Sequence, residues 1–176
     1  MLLNNPSSQK KLYLQIYRML ERVTPLKSDC GLLCNKACCD GGDADLGMYL
    51  FPGEELLLSG LGYFRIMPTD IQLKNGNNVL LVNCDGKCDR KFRPLACRIF
   101  PLTPYLTYRR TLTLEMDVRA TGICPLAKGK NTPLQPDFIR AVRQSIRIMS
   151  RDPEIVSFIE TLSRILDEYA QLPDLL

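Results

Sequence analysis

Eight cysteines are the residues of this sequence whose type and spacing point most directly to chemistry. Four of them fall within residues 30–39, three within residues 84–97, and the last directly precedes Pro125. Cysteines used only as small buried hydrophobes would be scattered, whereas thiolates that share a metal must cluster. We therefore predict that all eight are metal ligands: Cys30, Cys34, Cys38, Cys39, Cys84, Cys88, Cys97 and Cys124.

Disulfide pairing is the alternative use of these cysteines. A disulfide between the neighbours Cys38 and Cys39 would close a strained ring, which favours metal ligation for this pair. Charged residues such as Lys10, Lys11 and Arg18 interrupt the N-terminal segment, so it has no signal-peptide core and we expect a cytoplasmic protein. Structural disulfides are rare in that compartment, where thiols are kept reduced.

The absence of histidine from the whole chain limits both catalysis and metal chemistry. It excludes Ser-His-Asp and Cys-His catalytic pairs and mixed Cys/His zinc sites, so a metal must be held by thiolates or oxygens. Zinc is the commoner metal at thiolate sites, although its usual C-x2-C knuckle does not occur here. The C-x3-C spacings and the Cys124-Pro125 pair suit an iron–sulfur cluster equally. We prefer zinc on frequency, keep iron or an iron–sulfur cluster open, and expect one or two sites.

The two cysteine clusters carry opposite charge. Residues 30–55 have a net charge of −4 before any thiol ionises, and residues 84–98 have a net charge of +3. Such segments attract each other, so we expect a metal to join them. Arg93 and Arg98 flank Cys97, and we predict that they relieve the negative charge of the thiolate site from outside it, the alternative being a solvated basic loop. For Glu54 two roles stay open: it accepts backbone N–H bonds that orient a cysteine loop, or it supplies an oxygen ligand.

The cysteines stand in a longer pattern, which reads C-x3-C-x3-C-C from Cys30, F-P-G-E at residues 51–54, C-x3-C from Cys84, R-P-L-A-C-R-I-F-P at residues 93–101 and C-P at residues 124–125. Over these residues the chain resembles the YkgJ-type cysteine-cluster family, described as zinc- or iron-chelating domains. The resemblance implies metal chelation through the eight cysteines and no particular biological role. A longer branch of that family resembles flagellin lysine N-methylases, but this chain is short for that enzyme and shows no Gly-rich loop for a methyl donor.

Hydrophobic periodicity predicts the elements that must position these residues. Three- and four-residue spacing predicts helices over residues 8–23, 54–59, 136–149 and 153–169, and residues 30–45 are predicted to be a loop or short helical turns. Alternation predicts strands over residues 63–67, 71–73, 79–83 and 111–118, with a hairpin turn at residues 75–78. One face of the last strand must be buried, namely Leu112, Leu114, Met116 and Val118.

The predicted fold class is α+β: a small antiparallel sheet flanked by N- and C-terminal helices, with irregular metal-binding cysteine loops. The chain of 176 residues, with 45% hydrophobic residues and a net charge of +4, is the size of one globular domain. Within it we expect an N-terminal amphipathic helix over residues 1–29, a cysteine-cluster metal-binding core over residues 30–126 and a helical pair packed on that core over residues 127–176. No apolar run is long enough to cross a membrane, so no membrane partner is expected.

The leading functional hypothesis is a metal-binding module with a structural or metal-handling role, rather than an enzyme, and no catalytic residue is predicted. The alternative is an iron–sulfur redox protein or an accessory to a methyl-transfer enzyme. A third hypothesis is an adaptor for an anionic partner, because Arg140, Arg143, Arg147 and Arg151 form a stripe on a predicted helix. Most such stripes are simply solvated, so we do not expect nucleic acid as a partner, and the sequence identifies no protein partner.

Overall fold

The computed structural model describes residues 5–39, 47–84, 86, 88–128 and 133–172. Its helices and strands follow in chain order: α1 (Pro6–Leu20), α2 (Gly31–Cys34), β1 (Met48–Tyr49), α3 (Glu55–Leu58), β2 (Phe64–Gln72), β3 (Asn78–Cys84), α4 (Leu95–Ile99), β4 (Leu102–Leu106), β5 (Leu112–Met116), α5 (Pro125–Lys128), α6 (Pro136–Met149) and α7 (Pro153–Ala170). Short 3-10 turns lie at Ala37–Cys39, Arg90–Phe92 and Val118–Gly122. The α+β class, with antiparallel strands and helices at both ends, is confirmed.

The strands form two antiparallel sheets instead of one. The three-stranded sheet has the order β1-β3-β2, and β4 pairs with β5 in a separate two-stranded sheet. The predicted strands over residues 63–67 and 71–73 are one strand, β2, whose register shifts between Pro68 and Gln72. The predicted hairpin is confirmed, since β2 turns into β3 through Gly76, which has a φ of +85° and therefore the left-handed backbone that favours glycine.

The two-stranded sheet differs from the expected pattern of burial. Leu112 and Leu114 of β5 are half-buried, as the alternation predicts, but Met116 is 39% exposed. The prediction of a continuously buried face was therefore wrong at Met116. The apolar face of β5 is covered only over its first residues, and the chain leaves the strand at Asp117 to form the Val118–Gly122 turn.

Helix α1 forms where the apolar spacing predicts a helix, although it begins and ends earlier. The Asn5 side chain accepts the N–H of Ser7 at 2.9 Å and so caps the N-terminus of the helix, and Pro6 occupies the first turn, where proline is favoured. The helix ends at Leu20 rather than at Val23. Its buried stripe consists of Leu12, Tyr13, Ile16, Tyr17 and Leu20.

The two long C-terminal helices are also confirmed. The Asp152 carboxylate accepts the N–H of Glu154 at 2.9 Å and Pro153 occupies the first turn of α7, as the sequence predicts. Helix α6 packs against α1, and α7 packs against β4. Among the described residues, no helix is both long enough and apolar enough to cross a membrane.

One apolar core joins these helices to the sheets. It contains the fully buried rings of Tyr13, Phe51, Phe138 and Phe158, with the centroids of Phe51 and Phe158 4.8 Å apart. A small separate cluster of Ala120, Cys124 and Leu126 lies against Cys30 and other half-buried residues. The core thus lies along the helices and the sheets, and the cysteine-bearing segments lie beside it.

Candidate metal centre

The first cysteine segment, residues 30–39, consists of two short turns. The Asp29 carboxylate accepts the N–H of Gly31 at 2.9 Å where α2 begins. Asn35 and Lys36 both have positive φ, 49° and 59°, so the chain reverses between α2 and the Ala37–Cys39 turn. The prediction of short helical turns is confirmed for residues 30–39, while residues 40–45 lie outside the described residues.

The second cysteine segment begins where β3 ends at Cys84, and it touches the first one. Gly86 has a φ of +71°, and a Cβ atom at this position would lie 2.7 Å from the carbonyl oxygen of Cys39. Only glycine allows so close an approach in this backbone conformation. The two oppositely charged segments therefore meet at Gly86 and Cys39.

Arg98 holds together the backbone between Cys88 and Cys97. Its Nε donates to the carbonyl of Arg93 at 2.7 Å, and its Nη2 donates to those of Arg90 at 2.8 Å and Lys91 at 2.7 Å. The guanidinium also stacks on the ring of Tyr17, with its central carbon 4.0 Å from the ring centroid. Its hydrogen bonds thus fold the chain around one cation and position the cysteines on either side.

Glu54 is fully buried and both its carboxylate oxygens accept hydrogen bonds from the protein. Oε1 accepts the Tyr17 hydroxyl at 2.6 Å and the Leu95 N–H at 2.6 Å, and Oε2 accepts the Phe51 N–H at 3.4 Å. Leu95 is the first residue of α4, so Glu54 fixes the start of the helix that carries Cys97. Burial raises the pKa of Glu54 to about 7, against the lowering effect of the bonds from Tyr17 and the backbone.

The eight thiols line two adjoining cavities. Three of them line only the first cavity: Cys30, Cys34 and Cys124. Three others line only the second cavity: Cys39, Cys84 and Cys88. Cys38 and Cys97 line both cavities, as does Arg93. The fold therefore brings cysteines from four separate parts of the chain to two neighbouring places.

The adjacent cysteines Cys38 and Cys39 have their sulfur atoms 4.0 Å apart, within hydrogen-bond range for sulfur. The bond from Cys38 lowers the pKa of Cys39 to about 6; burial opposes this, and the charges of Arg93 and Lys36 assist it. The same bond, together with burial, raises the pKa of Cys38. Cys38 is an exposed cysteine, and Cys39 is half-buried.

Arg93 faces the thiols of the second cavity. Burial alone would lower its pKa, but a hydrogen bond with Cys88 and the charges of Cys39 and Cys97 raise it. Its buried Nε has no hydrogen-bond partner within the described part of the chain. A buried donor without a partner is costly, and an anionic thiolate beside it would remove that cost.

The donor atoms fit a thiophilic metal, although they are not yet gathered around one point. All eight cysteines are free thiols. Across residues 5–39, 47–84, 86, 88–128 and 133–172, no three cysteine or acidic side chains are close enough to hold a metal ion as they stand. Soft sulfur donors are ligands that suit zinc and iron, and a cation and a buried N–H beside them can offset thiolate charge. The ligand assignment therefore remains a prediction.

One residue that contributes to the site was missed by the sequence, and one predicted feature lies elsewhere. Tyr17 was not predicted to contribute, although a tyrosine on the buried stripe of α1 needs a partner for its hydroxyl, and Glu54 is that partner.

The predicted arginine stripe lies exposed on and just beyond α6. Arg140 pairs there with Asp137 at 3.3 Å, and Arg143, Arg147 and Arg151 form no ion pair with the other described residues.

The fold and the site define an α+β chain with two thiol-lined cavities at one edge of its core. Comparison with protein-family models, with curated proteins and with solved structures found no match. The resemblance to the YkgJ-type cysteine-cluster family therefore rests on the motifs in the sequence and stays a prediction.

Proposed function

We propose that this chain is a metal-binding protein whose cysteine thiolates hold zinc, with iron or an iron–sulfur cluster as the alternative occupant. The observation that carries the proposal is the meeting of eight thiols, brought from separate parts of the chain, in two adjoining cavities. Few apolar residues are buried in residues 30–39, so apolar packing contributes little to holding that cysteine segment in place.

Three further residues support the proposal by what they do to the cysteines. Arg98 binds three carbonyls of the Cys88–Cys97 connection, and Glu54 fixes the first residue of α4. Arg93 places a guanidinium between the two cavities. Together they would position sulfur ligands and balance thiolate charge, which is the role of groups that surround a metal site.

A bound zinc ion would cross-link segments that are distant in sequence. Its bonds to thiolates would release protons and contribute directly to the free energy of folding. Residues of the chain itself would keep the two segments in contact, supply positive charge and give solvent access. Cys39 and Gly86 bring the two segments into contact, Arg93 supplies positive charge, and exposed Cys38 gives solvent access to the thiols. That access favours a metal-handling role beside a purely structural one.

Elemental analysis of the full chain, purified anaerobically without added metal, tests the proposal. We expect zinc or iron at one or more equivalents per chain, lost when the protein is denatured with a chelator. The matched control is a variant with Ser at Cys39, Cys84 and Cys88, which keeps the first cavity intact. A brown sample with iron and inorganic sulfide would select the redox alternative. A wild-type chain that contains neither metal and takes up neither after reduction would contradict the proposal.

A further inference from the structure

Two rows of cations face the solvent on neighbouring helices. The members of each row are exposed and stand seven and then four residues apart along the chain: Lys11, Arg18 and Arg22 on and just after α1, and Arg140, Arg147 and Arg151 on and just after α6. None of these six residues lines a thiol cavity, so the rows are separate from the proposed metal centre. We propose that the two rows form one docking surface for an acidic α-helix of a partner protein.

Each row lies opposite the buried residues of its helix. Successive residues of an α-helix are about 100° apart around the axis, so a residue seven positions on returns to nearly the same direction. Lys11 and Arg18 therefore share one direction on α1, opposite the mean direction of the buried stripe of that helix. Arg140 and Arg147 have the same relation to the buried residues of α6. Both rows thus point away from the core, where a partner can reach them.

The two helices that carry the rows are packed side by side. Helix α1 packs against α6, and their buried residues belong to the same apolar core. The Gln135 N–H donates to the Pro25 carbonyl at 2.8 Å, which ties the residue before α6 to the segment after α1. The axes of packed helices are about 8–10 Å apart. A partner helix with a diameter of about 10–12 Å can therefore contact both rows at once.

The positive charge of this surface is not balanced by nearby acids. Residues 6–22 and 136–151 together contain eight cations and two acids, a net charge of +6, whereas the whole chain has a net charge of +4. Of the six cations in the rows, only Arg140 forms an ion pair with a described residue, Asp137, at 3.3 Å. A surface of one sign attracts and orients a partner of the opposite sign.

The spacing of the cations does not serve the stability of the free chain. Arg143 and Arg147 are both exposed and stand four residues apart on α6, where like charges repel each other. Arg18 and Arg22 repeat this spacing at the end of α1. A carboxylate placed between two such cations would replace repulsion by attraction. The arrangement is therefore suited to an anionic partner.

The other side chains of α1 and α6 favour a protein over a nucleic acid or a membrane. The three aromatic rings of these helices are buried, so none can stack on a base: Tyr13, Tyr17 and Phe138. Helices that lie in a membrane surface insert a wide apolar face. Here the apolar faces are packed in the core, and Leu14, 45% exposed, is the one large apolar side chain that the two helices expose.

An acidic helix matches the spacing of each row. Carboxylates at positions i, i+7 and i+11 of a helix lie on one face, about 10 and 6 Å apart along the axis, which is the spacing of the cations in both rows. An arginine guanidinium binds a carboxylate through two parallel N–H bonds. Gln15 and Gln144 are exposed on the same helices and offer further amide donors.

Binding of two synthetic helical peptides to the full chain tests the proposal. The first peptide has glutamates in two rows with the spacing given above, and the second has the same composition with the glutamates distributed around the helix. Fluorescence anisotropy measures both affinities at several salt concentrations. We expect the first peptide to bind about ten-fold more tightly than the second, and its affinity to fall with added salt. Equal binding of the two peptides would overturn the proposal.

Charge reversal tests whether both rows contribute. Arg18→Glu and Arg147→Glu should each weaken binding of the first peptide, and the double variant should abolish it. The matched control is Arg109→Glu with Arg164→Glu, which changes the net charge equally at two exposed positions outside the rows and should keep the affinity. An equal loss in the control would reduce the effect to net charge and contradict a docking surface. Unchanged binding in either single variant would contradict the two-row arrangement.

Two further probes separate a protein partner from other anions. They are a short DNA duplex with the same net charge as the first peptide, and phosphatidylserine vesicles. Tighter binding of the duplex would assign the surface to nucleic acid, and recruitment to the vesicles with no peptide binding would assign it to a membrane. Either result would overturn the assignment to a protein. Metal content should be the same in all these variants, so the proposed function is decided separately.

Discussion

The helical core and the first cysteine segment differ in how much apolar surface they bury. In the core, aromatic rings such as Tyr13, Phe138 and Phe158 are at most 2% exposed and pack between helices and sheet. In the segment over residues 30–39, Leu32 is 79% exposed and Leu33 is 57% exposed. The segment thus leaves much of its apolar surface exposed, while its cysteines line the cavities.

This difference indicates what each region requires in order to stay folded. Ordering the backbone costs about 1–2 kcal/mol per residue, and apolar burial offsets this cost in the core. The cysteine segment has little such burial. Thiolate ligation of a structural metal, with apparent binding of about 10–16 kcal/mol in small zinc domains, is large enough to offset it there. The core should therefore be independent of metal and the cysteine segments should depend on it.

The largest effect is expected in the core. Phe158→Ala removes a ring that packs on Phe51 and leaves a cavity, so the free energy of unfolding should fall by about 3–5 kcal/mol. Since we expect the core to be independent of metal, the loss should be the same with and without a chelator. Denaturant titration followed by circular dichroism measures it. A loss that disappears in the metal-free protein would mean that the two regions are not separate.

The next effect concerns Glu54, at the junction of the two regions. Its pKa is about 7 in the folded protein and near 4.3 when unfolded, so the native state binds a proton more tightly. Stability should therefore fall as the pH rises from about 4.5 to 7, by on the order of 1–3 kcal/mol. The measurement is denaturant unfolding of the metal-free chain at several pH values.

Glu54→Gln is the matched variant for this pH dependence. It cannot ionise, so its stability should lack the fall that the wild type shows between pH 4.5 and 7. The difference between the two curves cancels the titration of the thiols, which both proteins share. Parallel curves for the wild type and Glu54→Gln would show that Glu54 does not titrate in this window.

A smaller effect is expected from the arginines. Arg93→Ala and Arg98→Ala should each weaken metal binding by on the order of ten-fold, as loss of a group around a metal site usually does. Arg93→Lys should keep part of the metal affinity that Arg93→Ala loses, because positive charge between the cavities matters there. Arg98→Lys should bind metal as weakly as Arg98→Ala, because one guanidinium donates to three carbonyls at that position. Chelator competition measures the affinity, and equal rescue by lysine at both positions would contradict this distinction.

The smallest effect is expected on α6. Arg143→Gln with Arg147→Gln removes two exposed cations that form no ion pair with described residues, so stability should change by less than about 0.5 kcal/mol. Metal content should not change at all. Metal analysis and thermal unfolding check both statements, and a loss of metal would connect the stripe to the site.

The contrast between the regions also explains how far the sequence could predict the fold. Helices α6 and α7 follow from apolar spacing and from start signals such as Asp152-Pro153, because those rules are local. Strand β4 was missed because Pro104 stands in the middle of it, and proline is tolerated there because β4 has a neighbouring strand on one side only.

The candidate ligands could be chosen from the sequence, but the two cavities that they line could not be predicted. Clustering identifies the eight cysteines, and charge draws attention to Arg93 and Arg98. The division into two cavities depends on the left-handed backbone of Asn35 and Lys36 and on the contact at Gly86. These are results of tertiary folding, and no spacing in the sequence specifies them.

Hydrogen–deuterium exchange on the full chain, with bound metal and after chelation under reducing conditions, tests the central claim most directly. We predict that metal removal increases exchange together in residues 30–39 and 84–97, while peptides of α1, α6 and α7 remain protected. Unchanged protection of both cysteine segments after complete metal removal would contradict the claim that thiolate ligation holds them in place.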